Sequence, residues 1–184
     1  GKIAKRASWQ ADITFTDVHV EAENRLEHSH TFADAARVLT AARPNIAWGA
    51  LGHAQAAYDL AVAYCHERES FGQPIAATQL VQFRLAKMLA GLTSMWLVCL
   101  RLAELVADDV VTPAMASMAK MHNAEQALRI TAEARDLLGG NGILLENHVA
   151  RHFVDAQVVS TVEGTDSVHA LIVGRDITGM SAFT

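Results

Sequence analysis

From Phe32 onward, apolar residues recur every three or four positions, which is the period of an amphipathic helix. The pattern predicts three long helices followed by two shorter ones. We expect the first to begin near Ala33, to run for about eight turns of ~3.6 residues, and to end near Phe71 and Gly72. Pro44 lies inside this segment and is expected to kink or break its early part, because proline lacks the amide hydrogen.

The remaining helices have recognisable start and stop signals. The second carries apolar residues in a regular alternation of four and three and ends at the aspartates of residues 108–109. The third has Thr112 as its N-cap and Pro113 as its first residue, and it ends at Leu138, before two glycines. Two shorter helices follow, over about residues 146–159 and 166–180. This order predicts an all-α fold, an antiparallel helical bundle.

A different pattern precedes the helices. Residues 13–20 alternate apolar and polar side chains, which predicts one or two short strands. A β element of this size is too small to be stable alone, and nothing upstream supplies partner strands. We therefore expect a truncated chain, with residues 1–30 as a short β remnant and linker and residues 31–184 as the helical bundle domain.

Composition and charge narrow the class of protein. The 184 residues are 51% hydrophobic and 19% charged, which favours one globular core and excludes disorder. The net charge of -5 is spread along the chain without a basic stripe, so nucleic acid is not an expected partner. Cys65 and Cys99 lie on apolar helical faces, as expected for buried, reduced thiols. No apolar run approaches the ~20 residues of a membrane span, so we expect no membrane association and a cytoplasmic location.

A short polar turn between the last two predicted helices carries the most interesting carboxylate. Gly164 allows the backbone to turn sharply beside Glu163, and Thr165 is a good N-cap for the helix that follows. A carboxylate fixed from both sides can act in catalysis. On these three residues alone, an ordinary polar turn is the plainer alternative.

Two other motifs invite a functional interpretation that their context does not favour. Residues 139–142 resemble a dinucleotide fingerprint, but such a fingerprint opens a helix after a strand, whereas this one closes a helix. We interpret it as a helix C-cap with exposed amides. His148, His152 and Asp155 share one helical face that could bind a metal. No further ligand motif accompanies them, so we favour a solvated or interfacial face and predict no metal site.

Three motifs together carry a family resemblance: residues 68–75 with Gln79, the glycine run at residues 138–142, and the turn at residues 163–165. By itself, the first motif would indicate only an ordinary turn with an exposed arginine. In order and spacing, the three resemble the C-terminal half of the acyl-CoA dehydrogenases. Within that family, the chain is most similar to the glutaryl-CoA dehydrogenases, through residues 45–52, 134–143 and 169–183.

The resemblance implies a flavoprotein that uses FAD. Glu163 matches the catalytic base that removes the α-proton of an acyl-CoA thioester, while the flavin accepts a hydride from the β-carbon. Residues 1–30 would be the end of the family's middle β-domain. Positions implied in substrate binding are Arg43, near the CoA moiety, and Gly164. Positions implied in cofactor binding are Arg68, Phe71, Ile75, Gln79, Gly139, Gly140 and Thr165.

The resemblance also implies partners. The first four cofactor positions match family residues that hold an FAD bound mainly to a neighbouring subunit. The resemblance therefore implies a homodimer or homotetramer, with an electron-transfer flavoprotein as a candidate electron acceptor. The chain departs from the family pattern at Val162, usually a tyrosine, at Asp136, often a glutamine, and at the short Ser167. Two alternatives stay open: a truncated, non-catalytic bundle that serves assembly, and an oxygen-using oxidase on the same fold.

Overall fold

The computed structural model describes residues 1–182, in which five α-helices form most of the fold. These are α1 (Phe32–Glu67), α2 (Gln79–Ala107), α3 (Pro113–Leu137), α4 (Val149–Thr161) and α5 (Asp166–Thr178). A two-stranded antiparallel hairpin, β1 (Glu69–Ser70) and β2 (Gln73–Pro74), joins α1 to α2. The predicted all-α bundle is confirmed. Phe183, which belongs to the motif at residues 169–183, lies outside the described residues.

The core forms where α1 and α3 pack together, and α3 also contacts α2, α4 and α5. Small side chains dominate the contact between α1 and α3, which allows a close approach of the two helices. The fully buried alanines are Ala47, Ala50, Ala54, Ala57 and Ala61 of α1 and Ala116, Ala124, Ala127 and Ala134 of α3. Larger residues of α2, such as Met88 and Met95, fill the remaining space. α3 is therefore the element from which the rest of the bundle is positioned.

The first helix differs from its prediction. It has 36 residues, ends at Glu67, and is uninterrupted at Pro44. Arg43 and Ala47 are buried on either side of the proline. Packing of this face against α3 offsets the ~3 kcal/mol that an interior proline costs. The expected break was therefore wrong, and the alternative of a kink stays a prediction.

The predicted strands at residues 13–20 are also absent from the structure. The only regular element within residues 1–30 is a 3₁₀ turn, Ala22–Asn24. Ile13, Phe15 and Val20 have exposed side chains. Alternation alone does not produce a strand, because its backbone groups must pair with a neighbouring strand. The division into residues 1–30 and residues 31–184 stays a prediction.

The connections around α3 follow local chemistry. The Thr112 hydroxyl accepts a hydrogen bond from the Met115 amide at 3.2 Å, as the predicted N-cap requires. At the other end, a Cβ on Gly142 would overlap the Arg135 carbonyl, so only glycine fits there. α4 begins at Val149 and not at residue 146, because a 3₁₀ turn and a left-handed His148 (φ 60°) precede it.

Helix α2 is more apolar than expected. By length and composition it could cross a membrane, with a mean hydropathy of 1.6 over its most apolar window. This corrects the sequence-based expectation that no apolar run approaches that length. One side of α2 packs in the core of the bundle. The opposite side exposes what we call the α2 apolar face, formed by Phe83, Leu89, Leu97 and Leu100.

Candidate functional site

The backbone of the connection between α4 and α5, residues 162–165, takes an unusual conformation. We call it the Glu163 turn. Glu163 has a φ of 58° and Gly164 a φ of 110°. A left-handed conformation costs a residue other than glycine about 1–3 kcal/mol and is retained where the surroundings enforce it. A Cβ on Gly164 would lie 3.2 Å from two atoms of the His169 ring, so this position also requires glycine.

The side chain of Glu163 is partly buried and only partly satisfied. Its Oε2 atom is shielded from solvent and has no hydrogen-bond partner among the residues that the structure describes. Buried carboxylate oxygens are normally paired. An unpaired one, on a backbone in a rare conformation, is free to accept a proton from a molecule placed beside it.

Two cations hold the backbone of the turn from beneath, and we call them the cationic floor. Arg43 Nε donates to the Glu163 carbonyl at 3.3 Å, and its Nη1 donates to Ser117 Oγ at 3.2 Å. Lys120 Nζ donates to the Ser160 carbonyl at 2.9 Å and to the Gly164 carbonyl at 2.7 Å. Arg43 and Lys120 are 5% and 0% exposed. The cationic floor therefore fixes carbonyls before, at and after Glu163.

The electrostatics of this floor depend on burial. Burial lowers the pKa of Lys120, and the Asp166 carboxylate, whose Oδ1 lies 3.6 Å from Nζ, opposes that shift. Burial, together with Lys120 and Arg43, lowers the pKa of His169 to about 4. The imidazole under Gly164 is therefore neutral at physiological pH.

A large open cavity of about 1030 Å³ lies beside Arg43. It is bounded by the N-terminal part of α1, the connection from α2 to α3, and α5. Its apolar lining comes mainly from Phe32, Ala36, Leu39, Val111, Pro113, Val168 and Ile172. An apolar concave surface with a few charged groups in its lining is typical of a small-molecule site.

A second group of predicted residues surrounds the connection between α1 and α2. Arg68 caps the end of α1, Phe71 lies in the hairpin turn, Ile75 lies in a 3₁₀ turn, and Gln79 opens α2. The Ile75 amide donates to the Arg68 carbonyl at 2.8 Å, which brings the two ends of the hairpin together. Phe71 is fully exposed, at 102%. We call this segment, residues 68–79, the hairpin connection.

The hairpin connection and residues 138–142, which we call the glycine loop, line a common cavity of about 450 Å³. Four of the predicted cofactor positions line it: Arg68, Ile75, Gly139 and Gly140. Neither glycine would bring a Cβ within 4 Å of another group, so the backbone there is accessible to a ligand. Asn141 donates to the Tyr64 hydroxyl at 2.9 Å, which ties the loop to α1.

The structure does not bring all predicted residues together. Phe71 and Gln79 belong to the hairpin connection but do not line the cavity of about 450 Å³. Arg43 lines the larger cavity of about 1030 Å³. Thr165 occupies the N-cap position of α5, as predicted, but its side chain makes no capping hydrogen bond. Substrate contact by Arg43 stays a prediction, since its polar atoms contact Glu163 and Ser117.

The predicted His–Asp face and the two cysteines contact other parts of the protein. His152 Nδ1 lies 3.1 Å from His53 Nδ1, and Asp155 accepts a hydrogen bond from the Lys5 amide at 2.8 Å. Within residues 1–182, no cluster of three His, Cys, Asp or Glu side chains could hold a metal. Cys65 and Cys99 are buried and free, as predicted, and burial raises the pKa of Cys99 to about 11.

Sequence reasoning missed the residues beneath the turn. Ser117, Lys120 and His169 are all fully buried polar side chains. Lys120 has a detectable signal, because it interrupts a buried alanine face of α3 that includes Ala116, Ala124 and Ala127. A lysine on the apolar face of a helix must find buried partners. The identity of those partners depends on the fold.

Comparison with known proteins identifies similar molecules. The profile of the "Acyl-CoA dehydrogenase, C-terminal domain" family matches residues 32–178. The short-chain specific acyl-CoA dehydrogenase of Bos taurus mitochondria is 38% identical over 94% of this chain and 42% of its own length. The cyclohex-1-ene-1-carbonyl-CoA dehydrogenase of Geobacter metallireducens is 35% identical over 95% of this chain and 46% of its own.

A similar solved structure is a glutaryl-CoA dehydrogenase from Mycobacterium smegmatis in complex with FADH2. It superimposes with a TM-score of 0.82 at 35% identity, covering 85% of this chain and 40% of that one. The chain thus spans less than half the length of the relatives that it matches.

Proposed function

We propose that this chain, which belongs to the acyl-CoA dehydrogenase family, carries the catalytic base of an FAD-dependent enzyme that oxidises an acyl-CoA thioester between its α- and β-carbons. Glu163 would remove the α-proton. The observation that carries the proposal is the Glu163 carboxylate oxygen that is buried, unpaired and mounted on an enforced left-handed turn.

The chemistry explains why such a carboxylate is useful. A hydrogen on the carbon next to a thioester is a weak acid, so its removal requires a base that is already placed and not occupied by other donors. The Arg43 and Lys120 contacts fall on backbone carbonyls and leave Glu163 Oε2 unpaired. Arg43 also lines the apolar cavity of about 1030 Å³, where an acyl chain would fit.

The residues of the hairpin connection and the glycine loop fit the adenosine diphosphate part of FAD. Arg68 offers a guanidinium, which suits a diphosphate. Gly139 (φ 57°) and Gly140 leave their backbone open to a close approach. When bound, FAD supplies the two-electron oxidising capacity that the reaction needs. We propose that Arg68, Phe71, Ile75, Gln79, Gly139, Gly140 and Thr165 contact it.

Exposure of the hairpin connection and of the α2 apolar face supports a homo-oligomer. Apolar patches of this kind mark interaction surfaces in soluble proteins. A second copy that covers them would complete the cofactor site around Phe71, so we propose a homodimer or homotetramer. An electron-transfer flavoprotein is the proposed electron acceptor.

Within the family, we propose a substrate of the glutaryl-CoA type, from the motifs at residues 134–143 and 169–183. Two tests separate the proposals. Protein carrying this chain, with whatever other segments of the polypeptide accompany it, should bind FAD and show bleaching of the flavin absorbance on addition of an acyl-CoA. Faster bleaching with glutaryl-CoA than with butyryl-CoA supports the glutaryl type, and the reverse order contradicts it.

The main alternative is a non-catalytic bundle that acts only in assembly, and the exposed α2 apolar face is the observation that favours it. In that case the protein would still self-associate. It would neither bind FAD nor respond to an acyl-CoA. Titration with FAD therefore distinguishes the two functions, and sedimentation of the same sample confirms that the protein tested is assembled.

A further inference from the structure

Lys120 is a charged side chain with no exposed surface, at 0%. Removing an ammonium group from water carries a large free-energy cost, even after relaxation of the protein. A cation is kept in such a place when its hydrogen bonds and ion pair compensate for that cost. In this protein, its hydrogen-bond acceptors are the backbone carbonyls of Ser160 and Gly164, which flank Glu163.

We propose that Lys120 is a positioning residue that holds Glu163 in its left-handed conformation. The proposal rests on the proposed function, since it assigns Lys120 a role in placing the base. Lys120 acts through the backbone and would not contact the reacting atoms.

The geometry supports this role in two ways. The Ser160 carbonyl belongs to the last turn of α4, where carbonyls have no partner within the helix. The Gly164 carbonyl follows Glu163 directly. One nitrogen on α3 therefore ties the end of α4 to the far side of the turn, at 2.9 and 2.7 Å, and spans the residue with the unfavourable φ.

Neighbouring groups keep the contact in place. Asp166 Oδ1 lies 3.6 Å from Nζ and favours the charged amine. Arg43 contacts the Glu163 carbonyl at a longer distance of 3.3 Å. The imidazole of His169 lies close to Gly164, since a Cβ there would be 3.2 Å from two ring atoms. Lys120 makes the shortest of these contacts with the turn, so its removal should loosen the turn most.

Two variants separate the hydrogen bonds from the volume of the side chain. Lys120→Met keeps most of the volume and removes every donor. Lys120→Gln keeps donor hydrogens on a side chain that is one bond shorter. Thr131→Val is the matched control, because Thr131 is equally buried on α3 but, among residues 1–182, its hydroxyl bonds only to Ala127 and Leu128 of the same helix.

The first measurement is amide deuterium uptake in residues 160–166 of the flavin-loaded protein. The second is the rate at which the protein exchanges the α-protons of a bound acyl-CoA with solvent. We expect Lys120→Met to increase uptake and to slow exchange by about 100-fold, the order of loss for a displacement of about 1 Å. KM should stay within about threefold. Lys120→Gln should recover part of both losses, and Thr131→Val should change neither.

Unchanged uptake in both Lys120 variants would overturn the proposal, as would a loss of rate matched by Thr131→Val. If Lys120→Met does not fold, the Gln variant decides by the same two measurements. If Glu163→Gln leaves α-proton exchange unchanged, the proposed function fails. The uptake measurement then still reports whether Lys120 holds the turn, so the two failures are distinguishable.

Discussion

The Glu163 turn and the hairpin connection are both short links between helices, but they differ in how far the rest of the chain supports them. The turn is held from beneath by the cationic floor, with its carbonyls bonded to buried groups. The hairpin connection presents Phe71 fully to solvent and lines a shallow cavity with Arg68. The first is organised by this chain alone. The second has the properties of a surface that another molecule completes.

The difference follows from the cost of each conformation. A left-handed glutamate with an unpaired oxygen is unfavourable unless its surroundings impose it, so its supports must be built into the core. An exposed aromatic ring and an exposed guanidinium cost little until a ligand orders them. Changes in the turn should therefore affect catalysis, whereas changes in the hairpin connection should affect binding and assembly.

Among the changes that compare the two regions, the largest effect is expected from Gly164→Ala. The new Cβ would lie 3.2 Å from the His169 ring and would impose a side chain on a φ of 110°. We expect a loss of about 1–3 kcal/mol of stability and a loss of at least ~10²-fold in α-proton exchange. Gly174→Ala is the control, because a Cβ there meets no atom of the described residues within 4 Å. Equal behaviour of the two variants in thermal unfolding and exchange would contradict the special role of the turn.

The sequence predicts the bundle because helix periodicity and end signals are local. The N-cap at Thr112 and the end of α3 before Gly139 are examples. The predicted break at Pro44 and the predicted strands at residues 13–20 were wrong because their outcome depends on non-local contacts. Packing against α3 and the lack of a pairing strand are properties of the whole fold, and no window of sequence contains them.

A second prediction tests the hairpin connection. Arg68→Ala should weaken FAD binding roughly 10- to 100-fold, as expected for the loss of charge-assisted hydrogen bonds, with little change in assembly. Leu97→Asp on the α2 apolar face should reduce assembly and FAD binding together. Fluorescence titration with FAD and sedimentation velocity measure the two properties.

Asp176→Asn is the control for both, since Asp176 is exposed on α5, a different helix from the α2 apolar face. If Leu97→Asp leaves a monomer that binds FAD with wild-type affinity, the cofactor site needs no second copy. The claim that a second copy of the chain completes the hairpin connection would then be wrong.

The smallest effect concerns His169, whose pKa is lowered to about 4 by burial and by the cationic floor. Between its unfolded pKa of about 6.5 and that value, the unfolded chain binds the proton and the folded chain does not. Stability should therefore fall as the pH drops through this window. The contribution is about 1.4 kcal/mol between pH 8 and pH 5.5.

His53 and His152 also have lowered pKa values, so the wild-type slope includes their contributions. His169→Gln removes only the part due to His169, and urea unfolding at the two pH values measures the difference. An unchanged slope in His169→Gln would show that this imidazole titrates normally in the folded protein.

The candidate site was predictable only in part. Glu163, Gly164 and the glycine loop follow from motifs, because their chemistry depends on residue type and local spacing. Lys120 and His169 could not be assigned from the sequence. Lys120 contacts the Ser160 carbonyl, which is far from it along the chain, and only the fold places the His169 ring against Gly164.

The central claim is that Glu163 is the base, and exchange of acyl-CoA α-protons with deuterated solvent tests it most directly. Glu163→Gln keeps the shape of the side chain, so acyl-CoA and FAD should bind nearly as in the wild type, while exchange falls by ~10²–10⁴-fold. Glu163→Asp should retain part of the rate, and Glu146→Gln, an exposed control, should retain all of it. Wild-type exchange in Glu163→Gln would contradict the account and place the base elsewhere.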